Sequence, residues 1–173
     1  KTIYTLSGNH IMSLFDASIG TSIELVHTRH EAAAVHAADA WGRLTGTPGI
    51  AMVTGGPGHA NATAALMTAQ GQESPLVLLS GHTETTQLGR GGFQELRQAE
   101  MAAPVSKASW TAASAETLGA DIAKAVRIAT SGRPGPVHLS LPSDLLDAEV
   151  ADNAAIWPEP GDFAAAPVAL GDA

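Results

Sequence analysis

The sequence predicts an α/β fold with three layers, in which a six-stranded, mostly parallel sheet carries helices on both faces. Short apolar runs alternate with helical stretches along most of the 173 residues. These runs are continuously apolar, which is typical of strands buried on both faces and not of half-exposed strands. Strands that alternate with helices pair in parallel and place helices on each side of the sheet. A chain of this length forms one domain with a substantial core.

The strands and helices follow one another in a regular order. Strands are predicted at residues 2–6, 23–27, 49–54, 75–80, 105–110 and 136–141. Helices are predicted at residues 11–17, 29–46, 59–70, 93–101 and 115–130. The last helix has a good N-cap in Ser114 and ends at Gly132. We expect a flavodoxin-like topology for this order.

The two ends of the chain differ from its centre. Lys1 leads directly into a strand, so we expect a piece of a longer polypeptide that lacks a preceding helix. Residues 157–173 (WPEPGDFAAAPVALGDA) are rich in proline and alanine and show no period. We therefore expect a domain at residues 1–150 and a linker at residues 151–173.

Composition excludes several classes of partner. The formal net charge of −8 disfavours nucleic acid and anionic membranes as partners. The absence of cysteine excludes disulfides and thiolate metal sites. We find no signal peptide and no apolar run long enough to cross a bilayer. We therefore expect a soluble, cytoplasmic protein.

Glu31 is the acidic residue that raises a functional question. It lies in the first turn of an alanine-rich helix, RHEAAAVHAADAWGRLTG at residues 29–46, where the helix dipole favours a negative charge. A purely stabilising role would explain it. The small residues at 32–35 offer no solvated face, however, and dehydration favours the protonated form of a carboxyl group. An acid in such a position can exchange a proton in catalysis.

Three histidines, His27, His30 and His36, flank this acid. Their spacing differs from the zinc-protease pattern, which needs histidines at i and i+4 with a glutamate after the first. We expect satisfied or solvent-facing histidines here and no metal site on this chain.

Two further segments lie where ligands bind in such folds, at the carboxyl ends of parallel strands. Residues 54–61 (TGGPGHAN) contain glycines that let the backbone approach a ligand, and Pro57 stiffens the turn. The segment is not a dinucleotide fingerprint or a P-loop, and a tight strand-to-helix turn would also explain it. Residues 91–95 (GGFQE) would place an apolar wall and an amide over a pocket, or would form an ordinary loop anchored by Phe93.

Three blocks together resemble the amino-terminal domain of thiamine diphosphate-dependent enzymes, and the acetolactate synthase large-subunit type in particular. The first is RHEAAAVHAADAWGRLTGTPGIAMVTGGPGHANATAAL at residues 29–66. The second is FQELRQAEMAAPVSKAS at residues 93–109, and the third is GRPGPVHLSLPSDL at residues 132–145. The blocks occur in the family's order, which is far more specific than any one motif.

The resemblance implies a role for each candidate residue. Glu31 would hydrogen-bond a ring nitrogen of the cofactor's aminopyrimidine and promote its imino tautomer, and Gln94 would be a second catalytic residue. The cofactor would act as the electron sink for decarboxylation of a 2-oxo acid, followed by carboligation. The cofactor-binding residues would be Glu31, Thr54, Pro57, Gly58 and Asn61. The residues on the substrate side would be Gly8, Phe93 and Lys107, although Ser-Gly-Asn at residues 7–9 replaces a Pro-Gly-Gly turn of typical acetolactate synthases.

The resemblance also implies what this chain does not supply. In the family, a separate domain with a Gly-Asp-Gly…Asn motif binds the diphosphate and a divalent metal, here expected to be Mg²⁺. In this sequence Gly-Asp occurs only at residues 161–162 and 171–172, without the rest of the motif. We therefore expect the isolated chain to be inactive and to bind thiamine diphosphate poorly. We expect the full-length protein to be a homodimer or homotetramer assembled through this domain.

Three alternatives stay open at this point. In the first, the chain is a non-catalytic or split subunit that assembles with a separate diphosphate-binding domain. In the second, it belongs to an acyl-CoA lyase or decarboxylase of the same family. In the third, it is a flavodoxin-like nucleotide-binding domain, which the absence of a phosphate-binding loop disfavours.

Overall fold

The computed structural model describes residues 1–167, and a six-stranded sheet forms its centre. The strands are β1 (Thr2–Thr5), β2 (Glu24–His27), β3 (Gly49–Val53), β4 (Leu76–His82), β5 (Ala108–Thr111) and β6 (Pro136–Pro142). Their order across the sheet is β2-β1-β3-β4-β6-β5, and each neighbouring pair is parallel. The predicted α/β fold is confirmed.

Helices pack on both faces of this sheet. They are α1 (Met12–Ser18), α2 (Glu31–Thr45), α3 (Pro57–Gly71), α4 (Gln98–Ala102), α5 (Leu118–Thr130) and α6 (Ser143–Leu146). One core joins α2, α3 and α4 to residues such as Ala51 and Leu78, and a second core joins α1, α5 and α6 to residues such as Met52 and Val77. Successive strand residues face opposite cores, so the continuous apolar runs are explained by burial on both sides.

The last two strands exchange places relative to their order in the sequence. The chain passes from β4 to the edge strand β5 and returns through α5 to form β6 between them. Every residue of β6 is buried, whereas every residue of β5 is only half-buried. The more apolar segment therefore lies inside the sheet, and this exchange places the end of β6 beside the end of β4.

Two helices begin later than the sequence predicts. The helix predicted at residues 93–101 begins at Gln98, because Gln94 adopts a left-handed φ of 54° and the Glu95 carboxylate accepts backbone N–H groups from the preceding glycine loop. The helix predicted after Ser114 begins at Leu118. There, residues 115–117 form a turn closed by a bond of 3.3 Å from Leu118 N–H to the Ala115 carbonyl.

The predicted linker is described as far as residue 167 and runs along α5. Ile156 N–H donates to the Glu116 carbonyl over 2.8 Å near the start of α5. Ala166 N–H donates to Ser131 Oγ over 2.8 Å just after its end. Residues 168–173 of the predicted linker lie outside the described residues. Within residues 1–167, none of the helices combines the length and apolar character that crossing a membrane requires.

Candidate functional site

The carboxyl edge of the sheet brings together the segments selected from the sequence. Parallel pairing aligns the ends of β1, β3, β4 and β6, so the residues after them share one surface. Glu31, Thr54, Gly58 and Asn61 meet on this surface, and Gly8, Phe93 and Gln94 lie beside them. Pro57 lies in the same turn as Gly58, so the structure collects eight of the nine predicted site residues at one edge.

Glu31 is the first residue of α2 and is half-buried. His30 caps the helix, and its Nδ1 accepts the Ala32 N–H over 3.2 Å. Asn61 Nδ2 donates to Glu31 Oε2 over 3.0 Å, although Asn61 lies on α3. The carboxyl group thus lies at the N-terminal end of α2, and Asn61 fixes its orientation.

The Gly-Pro-Gly turn, residues 54–58, forms the floor beside this acid. Gly56 has a φ of 55°, and a Cβ there would lie 2.4 Å from the Gln94 carbonyl oxygen. A Cβ on Gly58 would lie 2.7 Å from Thr54 Cγ2 and 3.3 Å from Glu31 Oε1. Glycine is therefore required at both positions, and it gives the carboxylate a flat neighbouring surface.

A second wall is formed by residues that follow β1 and precede α4. His10 Nδ1 lies 3.1 Å from Thr54 Oγ1, and the His10 ring stacks on Phe93 with centroids 5.7 Å apart. Burial lowers the pKa of His10, so the imidazole is biased towards its neutral form. A Cβ on Gly8 would lie 2.5 Å from Thr54 Cβ. Phe93 is 64% exposed and forms the rim of this wall.

Sequence reasoning missed His10 as a site residue. His10 lies in the segment that follows the predicted strand at residues 2–6, and ligands bind after the carboxyl ends of parallel strands. A titratable residue in a loop at the carboxyl end of a strand was the available signal.

The prediction that Lys107 lies on the substrate side is wrong. Lys107 immediately precedes β5 and therefore lies at the amino edge of the sheet, opposite the site. Its Nζ donates to the carbonyls of Ile128 and Ser131, which end α5. Burial lowers the pKa of Lys107. The residue caps a helix C-terminus, as cations commonly do.

The histidines that flank Glu31 are dispersed. His27 packs against Phe15 with ring centroids 5.5 Å apart, His30 is the cap of α2, and His36 is exposed. Among residues 1–167, no three histidine, aspartate or glutamate side chains come close enough to hold a metal ion.

A buried polar network lies beneath the Gly-Pro-Gly turn and was not predicted. The Thr63 hydroxyl donates to the His59 carbonyl over 2.8 Å, so it accepts from His59 Nε2 at 3.0 Å. His59 Nδ1 then accepts from Ser80 Oγ over 2.9 Å. Burial lowers the pKa of His59 to about 4 and lowers that of the adjacent His138 well below its usual value. Both rings are therefore neutral at physiological pH.

A parallel α/β sheet with an oriented acid, an amide and a glycine-lined floor at its carboxyl edge defines a domain that binds a small polar molecule. Residues 1–101 match the family model described as "Thiamine pyrophosphate enzyme, N-terminal TPP binding domain". The chain belongs to this family.

Curated relatives are similar over most of this chain. It is 37% identical over 175 residues to the acetolactate synthase large subunit IlvG of Mycobacterium tuberculosis, covering 99% of this chain and 31% of that protein. It is 38% identical over 161 residues to the acetolactate synthase isozyme 3 large subunit of Escherichia coli, covering 92% and 28% respectively. It is 41% identical over 146 residues to human 2-hydroxyacyl-CoA lyase 2, covering 84% and 23%. The chain thus spans less than a third of the length of these relatives.

Proposed function

We propose that this chain is the pyrimidine-binding part of a thiamine diphosphate-dependent enzyme that decarboxylates 2-oxo acids and joins the product to a second substrate. The contact of Glu31 with Asn61 beside Gly58 is the observation that carries this proposal. Membership of the thiamine pyrophosphate enzyme family and similarity to acetolactate synthase large subunits support it.

The polar groups around Glu31 are suited to binding an aminopyrimidine ring. Such a ring presents nitrogen acceptors along one edge and needs a carboxyl group that exchanges a proton with one of them. Glu31 supplies that group, and Asn61 occupies Oε2, so Oε1, which lies next to Gly58, would face the ring. The Cβ-free surface of Gly58 leaves room for a planar ring to approach the acid.

When bound, thiamine diphosphate would supply an electron sink for the carbanion left by loss of carbon dioxide. Glu31 would hold and return a proton at the ring nitrogen, and Asn61 would keep its carboxyl group oriented. Thr54 and Pro57 would flank the ring, while His10, Phe93, Gln94 and Gly8 would line the substrate side and exclude water.

The test is Glu31→Gln in the full-length protein, with Glu31→Ala as a second variant. We expect activity with a 2-oxo acid to fall by about 100-fold or more in both, because neither side chain exchanges a proton. The control is Glu24→Gln, which changes an exposed carboxylate on β2. Activity of Glu31→Gln near that of the control would contradict the proposed role.

The substrate class has a second candidate, cleavage of a 2-hydroxyacyl-CoA. The similarity to human 2-hydroxyacyl-CoA lyase 2 and the Ser-Gly-Asn segment at residues 7–9 favour it. Condensation of pyruvate measured beside cleavage of a 2-hydroxyacyl-CoA by the same preparation discriminates the two. Activity in neither assay, together with a reading frame that stops at residue 173, would favour a non-catalytic or split subunit.

The remaining parts of the assembly follow from the same proposal. We infer that diphosphate and Mg²⁺ are bound by another domain, and that the full-length protein is a cytoplasmic homodimer or homotetramer. Light scattering on the full-length protein gives the oligomeric state. Calorimetry on the 173-residue chain that detects tight, Mg²⁺-dependent binding of thiamine diphosphate would overturn the assignment of the metal site to another domain.

A further inference from the structure

The side chain of Gln98 is buried directly beneath the Gly-Pro-Gly turn and is 1% exposed. Its Oε1 accepts the backbone N–H of Gly56 over 2.8 Å. Its Nε2 donates to the Gly81 carbonyl over 3.0 Å and to Ser140 Oγ over 2.9 Å. The amide orientation follows from these partners, since Gly56 N–H only donates and the Gly81 carbonyl only accepts.

These bonds connect three adjacent strands through one side chain. Gly56 follows β3, Gly81 belongs to β4 and Ser140 belongs to β6, and these strands are neighbours in the sheet. Gln98 lies at the start of α4, which leads out of the loop that carries Phe93 and Gln94. The amide therefore ties the turn to the most deeply buried part of the fold.

The hydrogen bond to Gln98 has its main effect on the conformation of the Gly56 peptide. Gly56 has φ 55° and ψ −113°, a conformation that glycine can leave easily because it has no Cβ. The next turn of chain carries Asn61, which donates to Glu31 Oε2, and Gly58, where a Cβ would lie 3.3 Å from Glu31 Oε1. A change in the Gly56 peptide would therefore shift the surface beside the acid.

We propose that Gln98 is a positioning residue for the cofactor site: it selects the orientation of the Gly56 peptide and thereby fixes Gly58 and Asn61 relative to Glu31. The inference rests on the proposed function. Packing alone does not need an amide at this position, because an apolar side chain of similar length would fill the same volume. The three bonds instead match the donors and acceptors of one particular turn conformation.

The test uses the full-length protein, with Mg²⁺-thiamine diphosphate as the ligand and calorimetric titration as the measurement. Gln98→Met keeps the side-chain length and removes all three bonds. We expect its Kd for the cofactor to rise by about 10- to 100-fold, because the Gly56 N–H is left buried without a partner. At saturating cofactor we expect KM for the 2-oxo acid to stay within about twofold of wild type, since His10 and Phe93, which form the second wall of the site, take part in none of the three bonds. Gln72→Met, an exposed change at the end of α3, is the matched control.

Gln98→Glu separates positioning from packing. An ionised carboxylate still accepts from Gly56 but opposes the Gly81 carbonyl, whereas a protonated one can donate to it. The ratio of its Kd to that of wild type will therefore fall as the pH is lowered from 8 to 6. A role limited to filling space predicts a ratio that does not depend on pH.

The outcomes distinguish this inference from the proposed function. If wild type binds the cofactor and Gln98→Met binds equally well, the positioning role is wrong and the proposed function stands. If wild type does not bind the cofactor, the proposed function itself fails. Should Gln98→Met not fold, Ser140→Ala decides, because it removes one bond to Gln98: a Kd raised by about 2- to 10-fold supports the inference, and an unchanged Kd overturns it.

Discussion

Acid will destabilise this fold through His59, which is buried between α3 and the sheet. Burial lowers the pKa of His59 from 6.5 to about 4, and the adjacent His138 and His82 are also held neutral by burial. In the unfolded chain the imidazole is hydrated and titrates near its usual value. Because the folded pKa lies below the unfolded one, the stability from neutral His59 is fully present above pH 6.5 and is lost as the pH falls towards 4.

The size of this effect follows from the two pKa values. A fall from 6.5 to about 4 corresponds to about 3 kcal/mol of unfolding free energy once the pH lies below both values. At pH 5 the unfolded histidine is mostly protonated and the folded one mostly neutral, so about 2 kcal/mol is already lost. Small domains hold only about 5–15 kcal/mol, so the loss is measurable.

Urea unfolding of the 173-residue chain at pH 7.5 and pH 5, followed by tryptophan fluorescence, measures the loss. His59→Gln does not titrate, and its amide can replace the bonds to Thr63 and Ser80. Wild type will lose about 2 kcal/mol more than this variant between the two pH values. His36→Gln, an exposed change on α2, will behave as wild type does. Equal losses in wild type and His59→Gln would refute the reasoning.

Three further substitutions test a buried ion pair, a close backbone approach and the position of Lys107 outside the site. Arg43→Met will lower the unfolding free energy by about 2 kcal/mol, because Asp39 is 1% exposed and loses its ion pair of 3.1 Å. Gly49→Ala will cost about 3 kcal/mol, since its Cβ would lie 2.0 Å from the Ala38 carbonyl oxygen. Lys107→Met will cost about 1–2 kcal/mol through loss of the cap on α5, but kcat/KM of the full-length protein will not change. Urea denaturation measures all three.

Matched controls exist for these changes. Arg133→Met removes an exposed ion pair with Glu73 and will leave the unfolding free energy nearly unchanged, because water screens the two charges. Gly71→Ala places a Cβ in open space and will be neutral. A loss of kcat/KM in Lys107→Met would contradict our placement of Lys107 away from the substrate side.

The helices and strands with strong local signals were predicted well. α2 runs from Glu31 to Thr45, within one or two residues of the prediction, because a capping residue precedes it and Gly46 follows with a φ of 71°. The start of α4 could not be predicted in the same way. Its position depends on the bond between Gln98 and Gly56, which lie 42 residues apart, and on the folding of the glycine loop around Glu95.

The site was predicted in part for the same reason. The strand-end rule and the family resemblance together bring Glu31 near Asn61, 30 residues away. They do not reveal the buried network, although β6 (PVHLSLP) carries a signal: His138 and Ser140 interrupt an otherwise apolar strand, and buried polar groups require partners. Lys107 was misplaced because its role was taken from the family motif alone, although the strand predicted at residues 105–110 puts Lys107 near the amino end of that strand.

The complete burial of β4 and β6 determines where this molecule can move. Amide hydrogens in the middle of these strands will exchange with solvent deuterium only through global unfolding, whereas the exposed loop before α4 opens at much lower free energy. Under the proposed function, entry and exit of a small molecule would depend on fluctuations of the Phe93 rim. The strand termini beneath that rim would keep their positions while it moves.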